Sequence, residues 1–192
     1  MRLEVELKFP VPDLGPVEGR LVGLGAETSP PEEEVDRYYA HPARDFAQTD
    51  EALRIRRKAG QCFLTYKGPK LDQSTKTRQE IDLPLPVGPE TFAAWDALLQ
   101  ALGFRPVAEV RKRRRKAFVA WGGERVEISL DEVDELGCFV ELELLSDPAG
   151  LASARSTLCD LAHRLGLGQS ERRSYLELLL EKRSLRQENS GQ

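Results

Sequence analysis

Several kinds of residue that most often carry chemistry are scarce in this sequence. Histidine occurs twice, at His41 and His163, so a His-rich zinc site or a Ser-His-Asp triad is poorly supplied. The three cysteines, Cys62, Cys138 and Cys159, are scattered, odd in number and without a CxxC pair. That argues against a disulfide framework or a zinc ribbon and fits a reducing cytoplasm. No apolar run reaches about 18 residues, and the opening MRLEVELKF carries charge where a signal peptide would be apolar. A cytoplasmic protein with no membrane partner is expected. Neither GxxxxGK nor GxGxxG occurs, so bound phosphate would not be cradled by a glycine-rich turn. Aromatics are only 7%, few for stacking nucleic-acid bases.

What the chain does have is charge, 31% of its 192 residues against 40% hydrophobic, enough apolar material for a core. A single domain over residues 1–186 with a frayed tail over 187–192 is expected. The net charge of −4 sums 28 basic and 32 acidic residues that are unevenly spread. Residues 111–116 read RKRRRK, 131–135 read DEVDE and 32–34 read EEE. A mildly acidic chain with concentrated positive charge points to a local anionic ligand rather than a surface that coats DNA. An RNA-binding sheet built on RKRRRK is disfavoured, because the acidic clusters would repel phosphate unless metal were present.

Alternating apolar and polar residues predict strands over 3–11, 34–40, 52–57, 62–67, 75–85, 104–121, 124–133 and 138–145. Ala59-Gly60 and Gly122-Gly123 read as hairpin turns, and 41–50 as a polar loop. Helices are predicted over 13–24, with Asp13 as N-cap and Gly25 closing, and over 89–102, 148–165 and 171–186. Eight strands with few crossovers imply an α+β fold: an antiparallel sheet that can close into an eight-stranded β-barrel, with helices packed outside.

These strands alternate apolar residues with charge. One row is Glu4, Glu6 and Lys8; others are Arg54 and Arg56, then Arg78, Glu80 and Asp82. Lys112, Arg114 and Lys116 share a face, as do Glu127, Ser129 and Asp131, and Glu141 and Glu143. Residues i and i+2 lie roughly 6.6 Å apart on one face, so paired carboxylates can straddle a divalent metal. Gathered carboxylates repel unless cations neutralise them. Carboxylates for Mg²⁺ beside Arg and Lys for phosphate are what a metal–polyphosphate ligand needs. A charged outer face of cross-strand Glu–Arg pairs is the plainer alternative. Arg111, Arg113 and Arg115 fall on the opposite face, toward solvent. Tyr38 and Tyr39 cannot both face inward.

The pattern resembles the CYTH superfamily, the triphosphate tunnel metalloenzymes. Its ExExK signature is matched by Glu4-Val5-Glu6-Leu7-Lys8. Asp36-Arg37-Tyr38-Tyr39 follows, then Leu53-Arg54-Ile55-Arg56, Leu64-Thr65-Tyr66-Lys67-Gly68-Pro69, Arg78-Gln79-Glu80 and Lys112-Arg113-Arg114. The last block runs from Leu130-Asp131-Glu132-Val133 through Leu136-Gly137 to Phe139-Val140-Glu141-Leu142-Glu143. The resemblance implies a closed tunnel of eight antiparallel strands. It implies Glu4, Glu6, Asp131, Glu141 and Glu143 as metal-facing carboxylates for Mg²⁺ or Mn²⁺. Lys8, Arg54, Arg56, Lys67, Arg78, Lys112 and Arg114 would grip the triphosphate, with Glu80 in the same tunnel.

Residues 74–78 (STKTR), LTYKGP, and Arg173 to Leu179 are most similar to the class IV adenylyl cyclase branch. That branch implies ATP as substrate, with cyclic AMP and pyrophosphate as products. Hydrolysis of thiamine triphosphate, tripolyphosphate or a nucleotide is the competing chemistry, and a non-catalytic polyphosphate-binding module the competing class. The expected partner is a small triphosphate, not nucleic acid, and the expected state a monomer or homodimer.

Overall fold

The computed structural model describes residues 3–69 and 78–190. Its elements run β1 (Leu3–Val11), α1 (Gly15–Gly23), β2 (Glu32–Ala40), α2 (Phe46–Thr49), β3 (Ala52–Lys58), β4 (Gln61–Lys67), β5 (Glu80–Pro84), α3 (Thr91–Ala101), β6 (Arg105–Trp121), β7 (Glu124–Val133), β8 (Gly137–Ser146), α4 (Leu151–Arg164) and α5 (Tyr175–Ser190). The eight strands form one antiparallel sheet in the order β1-β8-β7-β6-β2-β3-β4-β5. The sheet curls until its two ends meet, among the described residues, through a bridge between Glu4 and Arg78. The expected eight-stranded antiparallel architecture is therefore present, curled into a half-barrel.

The two faces of the sheet have opposite chemistry. Val5, Leu7 and Phe9 of β1, Val126, Ile128 and Leu130 of β7, and Val140, Leu142 and Leu144 of β8 point outward. They are covered by Val17 and Leu21 of α1 and by Leu158 and Leu161 of α4. A second outer cluster sets Tyr39, Leu53 and Ile55 against Leu99 of α3. The alternate residues are charged and face the concave side, where Glu6, Lys8, Glu34, Asp36, Arg54, Arg78, Lys112, Arg114, Asp131 and Glu141 are all buried.

Local chemistry fixes the corners. Ala59 and Gly60 both adopt positive φ, 48° and 75°, as a two-residue hairpin between right-twisted strands requires. Gly122 and Gly123 do the same between β6 and β7, at 59° and 83°. The register of β2 against β6 slips between Tyr38 and Tyr39, which pair with Ala108 and Pro106. The extra residue, Val107, forms a bulge where Pro106 cannot donate to a ladder.

Three expectations are corrected. The segment 41–50 contains helix α2, because the Asp45 side chain accepts from the Ala47 and Gln48 amides and caps a turn. Helix α1 starts at Gly15, and Asp13 accepts only from the Gly15 amide. Helix α5 begins at Tyr175 and continues to Ser190, because RSLRQENS has helix-forming residues and no glycine before Gly191. The STKTR stretch up to Thr77, and that part of the strand expected from Thr75, lie outside the described residues. No helix among the described residues is long and apolar enough to cross a membrane.

Leu142 has no exposed surface and lies at the centre of the larger cluster. Leu142→Ala is expected to destabilise the protein by about 2–5 kcal/mol. A lowered urea unfolding midpoint at unchanged slope is the measurement that checks it.

Candidate triphosphate and metal site

The concave face encloses a cavity of about 870 Å³. Its wall includes Glu4, Glu6, Glu141 and Glu143 from β1 and β8, and Arg54, Arg56, Lys67, Arg78 and Glu80 from the opposite end of the sheet. Lys112, Arg114 and Lys116 of β6 complete it. Cross-strand register brings these residues together. Glu6 pairs with Glu143 and Lys8 with Glu141, Glu127 also pairs with Glu143, and Glu4 bridges to Arg78.

One sector is acidic. Glu4, Glu6 and Glu143 each place a carboxylate oxygen within 4.8 Å of the others. Burial, together with the neighbouring Glu80, Glu6 and Glu141, pushes Glu4 up to about 7, even though Lys67 pulls it down. Burial first, then Glu4, raises Glu143 well above the ordinary carboxylate range. Hard oxygen donors held close at a cost in mutual repulsion fit a divalent cation such as Mg²⁺ or Mn²⁺.

The other sector is cationic, and here acids and bases are matched. Asp36 accepts from Arg56 through both oxygens, at 2.7 and 2.8 Å, and from Arg54 at 3.0 Å. Glu34 lies 3.3 Å from Arg56, 3.3 Å from Lys112 and 3.1 Å from Lys58. Burial alone would raise both carboxyls, but the surrounding cations outweigh it and hold them far below the usual range. Lys67 pairs with Glu80 at 2.7 Å, and Arg54 lies 3.8 Å from the same carboxylate. Arg78 donates to the carbonyls of Asp50 and Gly68, at 3.3 and 3.4 Å. Burial and the adjacent Arg114 lower Lys112, so its ammonium gains from any anion that enters.

Most of the expected residues line this one cavity: Glu4, Glu6, Arg54, Arg56, Lys67, Arg78, Glu80, Lys112, Arg114, Glu141 and Glu143. Asp131 and Lys8 are placed differently. Asp131, expected among the metal-facing carboxylates, has no exposed surface. It accepts from Arg114 at 2.7 and 2.5 Å and from the Tyr175 hydroxyl at 2.8 Å. It thus orients a cation. Lys8 is 1% exposed, and its ammonium donates to the Arg173 carbonyl. Glu141 lines the cavity and accepts from Arg114 at 2.5 Å.

Glu34, Asp36, Lys116, Glu127 and Tyr175 belong to the site and were not among the expected ligands. The i, i+2 spacing of Glu34, Asp36 and Tyr38 on β2 carries the signal for the first two. Tyr38 accepts from Arg54 at 3.4 Å, whereas Tyr39 faces outward and donates to Asp96 of α3 at 2.6 Å. Arg115 pairs outside the sheet with Glu18 of α1, and Arg111 and Arg113 are exposed.

Known proteins resemble this chain in sequence and in fold. The CYTH domain family matches residues 2–175. A "putative adenylate cyclase" of Methanocaldococcus jannaschii is 36% identical over 179 residues, covering 92% of this chain and 98% of the relative. The adenylate cyclase CyaB of Aeromonas hydrophila is 31% identical over 193 residues, covering 97% and 94%. A solved structure from Pyrococcus horikoshii superposes with a TM-score of 0.82 at 43% identity, covering 93% of this chain and 99% of that one.

The acidic sector predicts a pH dependence. Glu4 titrates near 4.5 when unfolded and near 7 when folded, so between these values the folded state holds the extra proton. Metal-free stability should therefore fall as pH rises through that window, by on the order of 2 kcal/mol, with Glu143 acting in the same direction. Glu34 and Asp36 act oppositely, but their contribution is lost only in acid. Urea midpoints at pH 5 and pH 8 should differ in this sense. Millimolar Mg²⁺ should restore the loss at pH 8, and Glu4→Gln should flatten the profile.

Proposed function

The chain belongs to the CYTH domain family, and from that premise we propose that it is a metal-dependent enzyme acting on a triphosphate, converting ATP to cyclic AMP and pyrophosphate. The observation that carries this reading is one cavity with two opposed sectors, three convergent carboxylates facing a wall of arginine and lysine. A binding protein for free phosphate would have no use for the carboxylates, and a cation store would have none for the arginines. Two relatives that bear adenylate cyclase names favour the cyclase over hydrolysis.

The residues divide the work. Glu4, Glu6 and Glu143 would hold Mg²⁺ or Mn²⁺. A cation there supplies Lewis-acid charge to the phosphate oxygens and to the attacking hydroxyl. Arg54 and Arg56, fixed by Asp36, present guanidinium groups to the phosphate chain, while Lys67, Arg78 and Lys112 add positive charge around it. Arg114 is held between Asp131 and Glu141, so it need not reorganise as negative charge moves onto the departing pyrophosphate. The ribose 3′-oxygen bonds to the α-phosphorus, the bond to the β-phosphate oxygen breaks, and the hydroxyl proton passes to solvent or to a wall carboxylate.

Turnover should require a divalent cation, vanish with EDTA and return with excess Mg²⁺ or Mn²⁺. Glu6→Ala and Glu143→Gln should each lower kcat/KM by at least about 100-fold while the folded circular dichroism spectrum is kept. Product analysis with ATP should give cyclic AMP and pyrophosphate in equal amounts. Orthophosphate without cyclic AMP would assign hydrolysis to the same cavity.

A further inference from the structure

The C-terminal segment is tied into the floor of this cavity. The Glu171 amide donates to the Lys8 carbonyl at 2.6 Å, and the Lys8 ammonium donates to the Arg173 carbonyl. Two residues on, Tyr175 opens α5. It is 7% exposed, lines the cavity and packs edge-to-face on Phe139 at 5.0 Å between ring centroids. The Lys8 ammonium stands 4.1 Å from the centre of its ring and the Lys112 ammonium 5.4 Å. Its hydroxyl donates to Asp131 Oδ2 at 2.8 Å.

Packing alone does not call for this hydroxyl. The surrounding cluster of Val110, Val133, Phe139 and Leu179 is apolar, and a phenylalanine or leucine would fill it. The hydroxyl instead completes the acceptor capacity of one buried oxygen. Asp131 Oδ2 takes an N–H of Arg114 at 2.5 Å, and Lys112 lies 3.9 Å away. With the hydroxyl in place, the carboxylate is satisfied, the Arg114 fork is fixed, and Lys112 stays 3.3 Å from Glu34 at the cavity wall. Without it, Oδ2 has an open acceptor site, and the nearby ammonium is the donor best placed to fill it. The ring face attracts both ammoniums as well.

We propose that Tyr175 is a positioning residue for the anionic ligand: its hydroxyl holds Asp131, and through it Arg114 and Lys112, in the geometry that receives phosphate. The last helix is thereby part of the binding wall rather than an outer cover. The inference rests on reading the cavity as a triphosphate site, and its test uses binding so that the two can fail separately.

The probe is inorganic tripolyphosphate with Mg²⁺, titrated calorimetrically against the full chain. Tyr175→Phe keeps the ring, so folding and binding stoichiometry should match the wild type. Its Kd should rise roughly five- to tenfold, less than the full value of a hydrogen bond to a charged partner because the bond acts on the ligand only through Arg114 and Lys112. In an Arg114→Lys background, which lacks the fork that Asp131 orients, the same substitution should add less than about twofold. Equal binding by the wild type and Tyr175→Phe would overturn the inference and leave the proposed function standing. So would a loss confined to stoichiometry, the mark of partial unfolding, or full multiplication of the two effects in the double variant. A wild type that does not bind tripolyphosphate would overturn the reading of the cavity, and the inference with it. If Tyr175→Phe does not fold, Asp131→Asn serves in its place, with the same rise in Kd and the same non-additivity expected.

Discussion

Everything in this protein follows from the cost of placing charge inside a folded chain. Ten charged side chains are buried on the concave face of the sheet, and a buried ion is tolerated only when partners replace its water. The cationic sector meets that requirement with strand-to-strand pairs. Asp36 serves two arginines, Glu34 two lysines and an arginine, and Asp131 with Glu141 a third arginine. The apolar half of each strand is pushed outward by the same alternation, and helices α1, α3 and α4 cover it. Sheet and helices are therefore one solution to one problem, a polar interior with its hydrophobic core on the outside.

The two sectors differ in how fully they are compensated, and that difference is where function lies. Glu34 and Asp36 are held ionised by their neighbours, and their energy is already spent on structure. Glu4 and Glu143 are pushed the other way, toward holding protons, first by burial and then by the carboxylates around them. A divalent cation there would replace the proton and remove the repulsion. A phosphate chain would in turn meet arginines already oriented by carboxylates, so little would be lost in ordering them. Lysine at those positions would supply the charge without the fixed fork.

Much of this was legible in the sequence, because a period of two states which residues share a face. The eight strands, the hairpins at Ala59-Gly60 and Gly122-Gly123, and the cavity-facing Glu4, Glu6, Arg54, Arg56, Lys112 and Arg114 all follow from alternation and turn chemistry. Alternation does not give register across strands, so it could not tell which carboxylates converge. Asp131 and Glu143 lie on the inner faces of adjacent strands, yet one meets an arginine and the other meets Glu4 and Glu6. Glu34 ends the EEE run and Asp36 lies two residues on, and only pairing with β3 and β6 reveals them as the anchors of Arg56 and Lys112. Helix α2 was hidden for another reason, since a four-residue helix has no period to detect and starts from the Asp45 cap.

The same limit explains why residues from the end of the chain were hard to place. Tyr175 is 167 residues from Lys8 in sequence, and no pattern within α5 announces that its one aromatic residue faces ammonium groups. Asp131 and Lys8 are both buried, so each needs polar partners from within the chain. The Arg173 carbonyl, the Glu171 amide and the Tyr175 hydroxyl supply those partners from a single five-residue stretch. Backbone groups suit this task because they are polar without being charged: they satisfy Lys8 without adding negative charge beside Glu4, Glu6 and Glu143.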